Sequence, residues 1–263
     1  MSRPIVALLS DFGTSDHYVG AMKGVVLSVC PEATIVDITH DVPPHDVLAG
    51  ALELAAAYRY FPPGTVFIVV VDPGVGSSRR GIAAEAGEYQ FVAPDNGVLT
   101  AVLREAPPKR VVELTERKYA RPTVSRTFEG RDRFAPAGGW LAKGLALPSL
   151  GRRVSDYQQI EIPVLDVREN GLAGAVWRVD RFGNLITNID RKTFDRVARG
   201  GPVIVKAGPH DVPHLVNTYA EAPTGDLCAL FGSTDHLEVA VPGGSAAARL
   251  GLGRGAPVTV SRS

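Results

Sequence analysis

Cysteine is scarce in this chain. Cys30 and Cys228 are its two cysteines among 263 residues. They are far apart and fit neither a CxxC pair nor a zinc-type ligand set, which excludes a disulfide framework and leaves two reduced thiols as the expectation. An excess of charge of either sign is also missing, because 28 Lys and Arg balance 28 Asp and Glu. Without a Lys/Arg stripe, neither nucleic acid nor an anionic membrane is an expected partner. No apolar run approaches the length that spans a bilayer. The opening residues, MSRPIVALLS, lack the basic segment, long apolar core and small-residue cleavage site of a signal peptide, so a cytoplasmic location is expected. Repeats, low-complexity tracts and convincing metal-ligand clusters are absent too, and no metal or cofactor is expected. What these absences leave is a chain long enough for one or two domains with ample core.

What is present is a set of short apolar runs that end in acidic, glycine-rich turns. Val66 to Val71 reads as a strand buried on both faces of a parallel sheet. It runs into Asp72-Pro-Gly-Val-Gly-Ser-Ser-Arg79-Arg80. Ligands of open α/β sheets sit beyond the carboxyl ends of strands, so Asp72 emerges where a site is expected. The turn is tight enough for Arg79 to fold back over the aspartate. Ile5 to Ser10 is a second such strand, ending in Asp11-Phe-Gly-Thr-Ser-Asp16 before a helix over Tyr18 to Cys30. Asp11, at the strand end, is the better candidate for binding paired hydroxyls, while Asp16 reads first as an N-cap. Thr34 to Thr39 is another strand, after which Asp46 caps a helix to about Tyr60 and His45 faces water. Then come a hairpin-like pair (81–86 and 89–94), a helix opened by Asp95-Asn96-Gly97, and a strand at Val111 to Leu114. Thr127-Phe-Glu129-Gly-Arg131-Asp132 feeds a further helix to about Leu147, and its three charged residues are candidates for the same site.

The pattern changes beyond the polar, turn-rich stretch from Pro148 to Pro163. Short β-type runs appear at 175–179, 185–189, 203–206, 227–231, 237–241 and 257–260, with helical fragments near 193–198 and 246–250. The expected organisation is an α/β domain over residues 1–150 with a mostly parallel or mixed sheet, a linker at 151–165, and a smaller all-β, barrel-like domain over 166–263. Two motifs stand out in the second half, Asp180-Arg-Phe182-Gly-Asn184 and Gly232-Ser233-Thr-Asp-His236-Leu-Glu238. The Asp-Phe-Gly and Asp-Pro-Gly loops imitate the phosphate loops of actin-like kinases, where each loop is a hairpin in one of two similar α/β domains. Here the first loop enters a helix and the second half is β-rich, which argues against that reading.

Six motifs, SDFGTSDHYVGAMKG, VDPGVGSSRR, APDNGVL, TFEGRDRFAPA, VDRFGNLITNI and LEVAVPGGSAA, follow one another in this order over nearly the whole chain. In them the chain resembles the SAM-dependent hydroxide adenosyltransferases, adenosine-forming S-adenosyl-L-methionine (SAM) hydrolases of the fluorinase and chlorinase superfamily. The resemblance implies an N-terminal α/β domain, a C-terminal β-barrel, and a homotrimer with active sites between neighbouring subunits. It also implies SAM as the small-molecule substrate, with Asp11 on the ribose hydroxyls and Asp16 close by. Phe182 and Asn184 would contact the adenosine, and Asp180 and Ser233 the amino-acid end of the methionine. The halogenases carry an aromatic residue where Asp72 stands, so Asp72 with Arg79 points to water as the nucleophile. The hydroxide-type members carry His where this chain has Glu129, and the pattern assigns no role to His236. Two functions follow: an enzyme using Asp72, Arg79 and Glu129, or a SAM- or adenosine-binding protein whose catalysis Glu129 has weakened.

Overall fold

The computed structural model describes residues 3–262 and divides the chain into two compact units, one ending at Glu161 and the other starting at Ile162. The first unit begins with β1 (Ile5–Ser10), α1 (Tyr18–Val29), β2 (Thr34–Thr39), α2 (Val47–Ala57) and β3 (Val66–Val70). It continues with β4 (Gly81–Ala86), β5 (Tyr89–Pro94), α3 (Thr100–Glu105), β6 (Pro108–Glu113) and α4 (Ala135–Ala142). The sheet order is β2-β1-β3-β5-β4-β6. β2, β1, β3 and β5 run parallel, whereas β4 pairs antiparallel with both β5 and β6.

Burial on both faces explains the continuous apolar runs of β1 and β3. Val6, Leu8, Val66, Ile68 and Val70 pack with Met22 and Val26 of α1 and with Ala137 and Leu141 of α4. Alternate residues turn the other way, where Phe67 stacks on Phe91 at 5.1 Å. Asp46 caps α2 as expected, accepting from the Ala49 N–H at 2.9 Å, and His45 is exposed.

Three local expectations give way. Asp16 does not cap α1: the N-cap position is His17, which makes no side-chain capping bond, and Asp16 is exposed. The helix expected from Asp95 starts only at Thr100. Asp95 is instead drawn to Arg80, and Asn96 donates its side-chain N–H to Val71 O at 2.8 Å, latching the loop to the end of β3. Finally, α4 stops at Ala142, before Gly144 at φ +97°, and its entry is a π-helical turn, Gly130–Phe134. The stretch expected as a linker, 151–165, lies along the first unit as far as Glu161: Gln158 N–H donates to Asp95 at 2.7 Å and Ile160 N–H to Thr100 at 3.0 Å.

The second unit contains β7 (Asp166–Arg168), β8 (Gly171–Val179), β9 (Leu185–Asp190), α5 (Arg191–Ala198), β10 (Val203–Ala207) and β11 (His210–Val212). Then follow β12 (His214–Leu215), β13 (Cys228–Phe231), β14 (His236–Ala240), α6 (Ala246–Leu250) and β15 (Pro257–Arg262). Nine strands form one nearly closed, barrel-like sheet in the order β11-β10-β15-β8-β9-β14-β13-β12, with β7 beside β8. The long β8 joins the two halves, since its first residues pair with β15 and its last with β9. Leu172, Val176, Leu185, Ile189, Val239 and Val258 lie in its core. The expected strands and both helices are present, and β7, β11 and β12 are additional. Among the described residues no helix is long and apolar enough to cross a membrane.

One residue tests how tightly the turn after β3 is built. Gly76 has φ +79°, and a Cβ there would meet the Arg126 carbonyl oxygen at 2.5 Å. Gly64 has φ +83° with open space around it. Left-handed backbone in a non-glycine residue costs about 1–3 kcal/mol. Gly64→Ala should show that cost alone in urea denaturation, and Gly76→Ala a larger loss, because a backbone carbonyl must also move. Equal losses would mean that the turn yields freely.

Candidate active site

Parallel pairing of β1 with β3, with Ser10 opposite Val70, brings both strand ends to the same sheet edge. Asp11 and Asp72 therefore leave the sheet side by side, at the end where α/β sheets bind ligands. After Asp72 the chain reverses through two tight turns, Val75 N–H to Asp72 O at 3.3 Å and Ser77 N–H to Gly74 O at 3.1 Å. The Ser77 hydroxyl donates to Gly74 O at 2.6 Å and accepts the Arg79 N–H at 3.2 Å. This returns the Arg79 guanidinium to Asp72 as a fork: Nε donates to Oδ1 at 2.9 Å and Nη2 to Oδ2. Both side chains are buried, at 10% and 5% exposure. The guanidinium lies over the Phe134 ring, 5.3 Å from its centre.

A second carboxylate meets the same guanidinium. Glu129 stands one residue before the π-helical turn, and its Oε2 lies 2.5 Å from Arg79 Nη2. That contact is an ion pair without hydrogen-bond alignment, and Oε2 is buried with no hydrogen-bond partner. Oε1 accepts from Arg133 Nη1 at 3.1 Å, and Arg133 is anchored in turn on Leu114 O at 2.8 Å. Burial works against the Arg79 charge, but the hydrogen bonds and charge of Asp72, with the charge of Glu129, outweigh it and hold the guanidinium above its ordinary pKa. Arg131 does not join this cluster. It grips the buried Asp132 at 2.7 and 2.8 Å, and Asp132 also accepts the Ser125 N–H at 2.8 Å. Burial opposes the charge of Asp132, yet Arg131 and that N–H keep its carboxyl below the usual range.

Asp11 accepts the His45 N–H at 2.8 Å, and His45 adopts φ +69° to offer it. Asp16 is exposed in the same loop. Sequence reasoning missed the aromatic group beside them. Tyr18 packs against Phe12 and Phe128 at 5.7 and 5.1 Å, and Phe12 meets Phe128 at 5.9 Å. It also missed an array next to Asp11, buried at Ser10 and His40 and exposed at Asp37, in which Ser10 Oγ is 2.7 Å from His40 Nδ1 and His40 Nε2 is 3.0 Å from Asp37. The only sequence signals for either were aromatics flanking an acidic turn and a histidine at a strand end.

The second unit carries the other candidates. Asp180 Oδ1 accepts the N–H groups of Phe182 and Asn184, each at 2.9 Å, and Oδ2 accepts Asn184 Nδ2 at 3.0 Å. The carboxylate thus folds its own turn and throws Phe182 outward, 77% exposed. Asp180, Phe182, Asn184 and Ser233 line one cavity of about 1220 Å³. Tyr219 and Glu238 line it as well, and the Tyr219 hydroxyl donates to Glu238. Burial, and then the Asp180 charge, push the Glu238 carboxyl above its usual range, with the tyrosine bond opposing. Burial beside Glu238 likewise raises the Tyr219 hydroxyl. A glutamate inside the apolar run Leu237 to Val241 was the available clue to that pair. His236 does not line the cavity; its Nδ1 lies 2.8 Å from Thr234 O and its ring 5.2 Å from Trp177. Among the described residues no group of three or more His, Cys, Asp or Glu side chains is arranged to hold a metal ion.

Two family models match, the SAM hydroxide adenosyltransferase N-terminal domain over residues 6–151 and its C-terminal domain over 174–259. The chain is 40% identical to the (R)-S-adenosyl-L-methionine hydrolase of Thermus thermophilus, with 97% of this chain and 98% of that protein covered. It is 31% identical to the fluorinase of Actinopolyspora mzabensis, covering 100% and 98%. A crystal structure of an uncharacterized conserved protein from Thermotoga maritima superposes with a TM-score of 0.93 at 36% identity, covering 98% of this chain and 100% of that one. The chain belongs to the SAM hydroxide adenosyltransferase family.

Proposed function

We propose that the chain hydrolyses SAM to adenosine and L-methionine. The observation that carries this reading is the Arg79 guanidinium held between Asp72 and Glu129 at the carboxyl edge of β1 and β3. Water attacks C5′ opposite the sulfonium, and the C–S electron pair leaves with sulfur as a neutral thioether. Positive charge on the substrate disperses as the bond breaks, so a site that strips water and holds the nucleophile about 3 Å from C5′ in line with that bond favours the reaction. One carboxylate of the pair takes a proton from the water while the other helps to orient it, and Arg79 stabilises the developing hydroxide by charge-assisted hydrogen bonding. No cofactor enters this scheme.

In the same reading Asp11 holds the ribose hydroxyls, with Asp16 near it. Phe182 and Asn184 contact the adenosine, and Asp180 and Ser233 take the methionine end. The exposed ring of Phe182 and the shared cavity of these four residues support their grouping. The two sets of residues lie in different units, and we assign the protein to a cytoplasmic homotrimer whose sites combine residues of neighbouring copies. Glu129 pointing at Arg79 favours the hydrolase over a protein that only binds SAM or adenosine.

Run in ¹⁸O-labelled water, the reaction should place label in adenosine and none in methionine. Unlabelled adenosine, or ready formation of a 5′-halo-adenosine in high halide, would refute water as the nucleophile. The assembly is tested by mixing an Asp11→Ala chain with an Asp180→Ala chain, each inactive alone. Mixed oligomers should recover part of the activity. Verified mixed oligomers with no activity would place each site within one chain.

A further inference from the structure

The hydrolysis proposed above releases a proton, and the structure holds two carboxylates in unequal states to receive it. We infer that Glu129, and not Asp72, takes the proton of the attacking water and passes it to solvent through the cavity that Glu129 and Arg133 line. The inference rests on the SAM-hydrolase reading and adds the route by which the proton leaves.

Three observations carry it. Both Asp72 oxygens already accept an N–H from Arg79, one each from Nε and Nη2. Glu129 Oε2 is different: it lies against the same guanidinium, yet it is buried and has no aligned donor. It is therefore the one oxygen of the two carboxylates that accepts no hydrogen bond, while the neighbouring cation holds the attacking oxygen. Arg79 cannot exchange the proton itself, because guanidinium stays charged in proteins. The third observation is what lies beyond the carboxylate. Glu129 and Arg133, with Leu114, Glu116, Arg121 and Val124, border a cavity of about 550 Å³. A water occupies about 30 Å³ of liquid volume, so the space is roomy enough for several, and its lining supplies the polar partners that buried waters need. Neither Asp72 nor Arg79 borders this cavity. Of the three, Glu129 is the one that borders this cavity while still paired with Arg79.

The step balances without another reactant. The O–C5′ bond forms as the C5′–S bond breaks, and the electron pair goes to sulfur. One water proton passes to the Glu129 carboxylate, giving a neutral carboxylic acid. That acid then loses the proton to water in the cavity, so the net products are adenosine, methionine and H⁺. Arg133, bonded to Oε1 and to Leu114 O, holds the carboxylate in place across this exchange.

Glu129→Ala tests the route, because it removes the acceptor and leaves a hole that a small base can enter from the cavity. Its turnover of SAM should fall by about tenfold or more, the low end of what general-base catalysis contributes, with KM unchanged. Formate should restore turnover in proportion to its concentration. Val124→Trp, filling the cavity wall, should suppress that rescue in the double variant while SAM binding persists. Asp72→Asn should not be rescued by formate. A Glu129→Ala chain that binds SAM, melts with the parent and ignores formate would overturn the proton route. So would Glu129→Gln turning over as fast as the parent, the measurement that decides if Glu129→Ala does not fold. A parent chain that binds SAM but releases no adenosine would instead overturn the hydrolase reading itself.

Discussion

Two carboxylates on one buried guanidinium form the constraint on which the first unit depends. Taking charges out of water is costly, and a buried pair holds only when its geometry is good and its remaining groups are bonded. Asp72 and Arg79 meet both conditions. The fork is bidentate, Arg79 Nη1 is also bonded to Arg80 O, and the flat cation rests on Phe134. Supplying those partners fixes much of the surrounding structure. The turn from Pro73 to Ser78 must be tight enough to return Arg79 to the strand it follows. The π-helical turn must present Glu129 on one side and Phe134 under the ring plane. Breaking such a pair by removing one partner leaves an uncompensated buried charge, so its members are fixed by stability as well as by chemistry.

The features legible from sequence were those set by local chemistry. An apolar run closing in Asp-Pro-Gly-Val-Gly has few ways to continue except a tight turn, and an Arg seven residues on reaches back to the Asp. The β4–β5 hairpin was legible for the same reason, with its two short runs separated by two residues. Less legible were features decided at long range. Asp95 and Asn96 look like a helix start, but Arg80 and the Val71 carbonyl compete for their side chains and the helix begins later. Asp16 resembles a cap, yet His17 occupies that position in the fold. The strands β11 and β12 have three and two residues, too few for a periodic pattern, and exist because neighbouring strands offer them hydrogen bonds.

The same division holds within the second unit. Asp180 and Asn184 were visible as a turn motif because the aspartate closes its own loop through two backbone N–H groups. Glu238 was hidden because it sits in a strand otherwise apolar, and only the fold shows that Tyr219 reaches it from another segment. Its position also has a cost. A carboxyl made less acidic by burial and by Asp180 keeps its proton more readily in the folded chain than in the unfolded one. The stability it contributes is complete below the unfolded glutamate pKa and is lost as pH rises through the higher folded value. The cavity therefore keeps a group that works against the fold once pH exceeds that raised value, where an apolar residue would not.

Charge balance explains how a glutamate can stand at the position where the family resemblance implies histidine. A neutral imidazole beside Asp72 and Arg79 leaves the three side chains with no net charge. Glutamate in its place would leave a buried excess of one negative charge, a costly arrangement in a poorly solvated site. The chain offsets it with Arg133, four residues on, which bonds to Oε1 and brings the four side chains back to zero. The spacing matters, because residues four apart in a helical turn share a face. Arg131, at two residues, is directed elsewhere and pairs with Asp132. A glutamate at this position thus comes with a cation that holds its outer oxygen. The inner oxygen stays against Arg79, where we propose that the base for the attacking water stands.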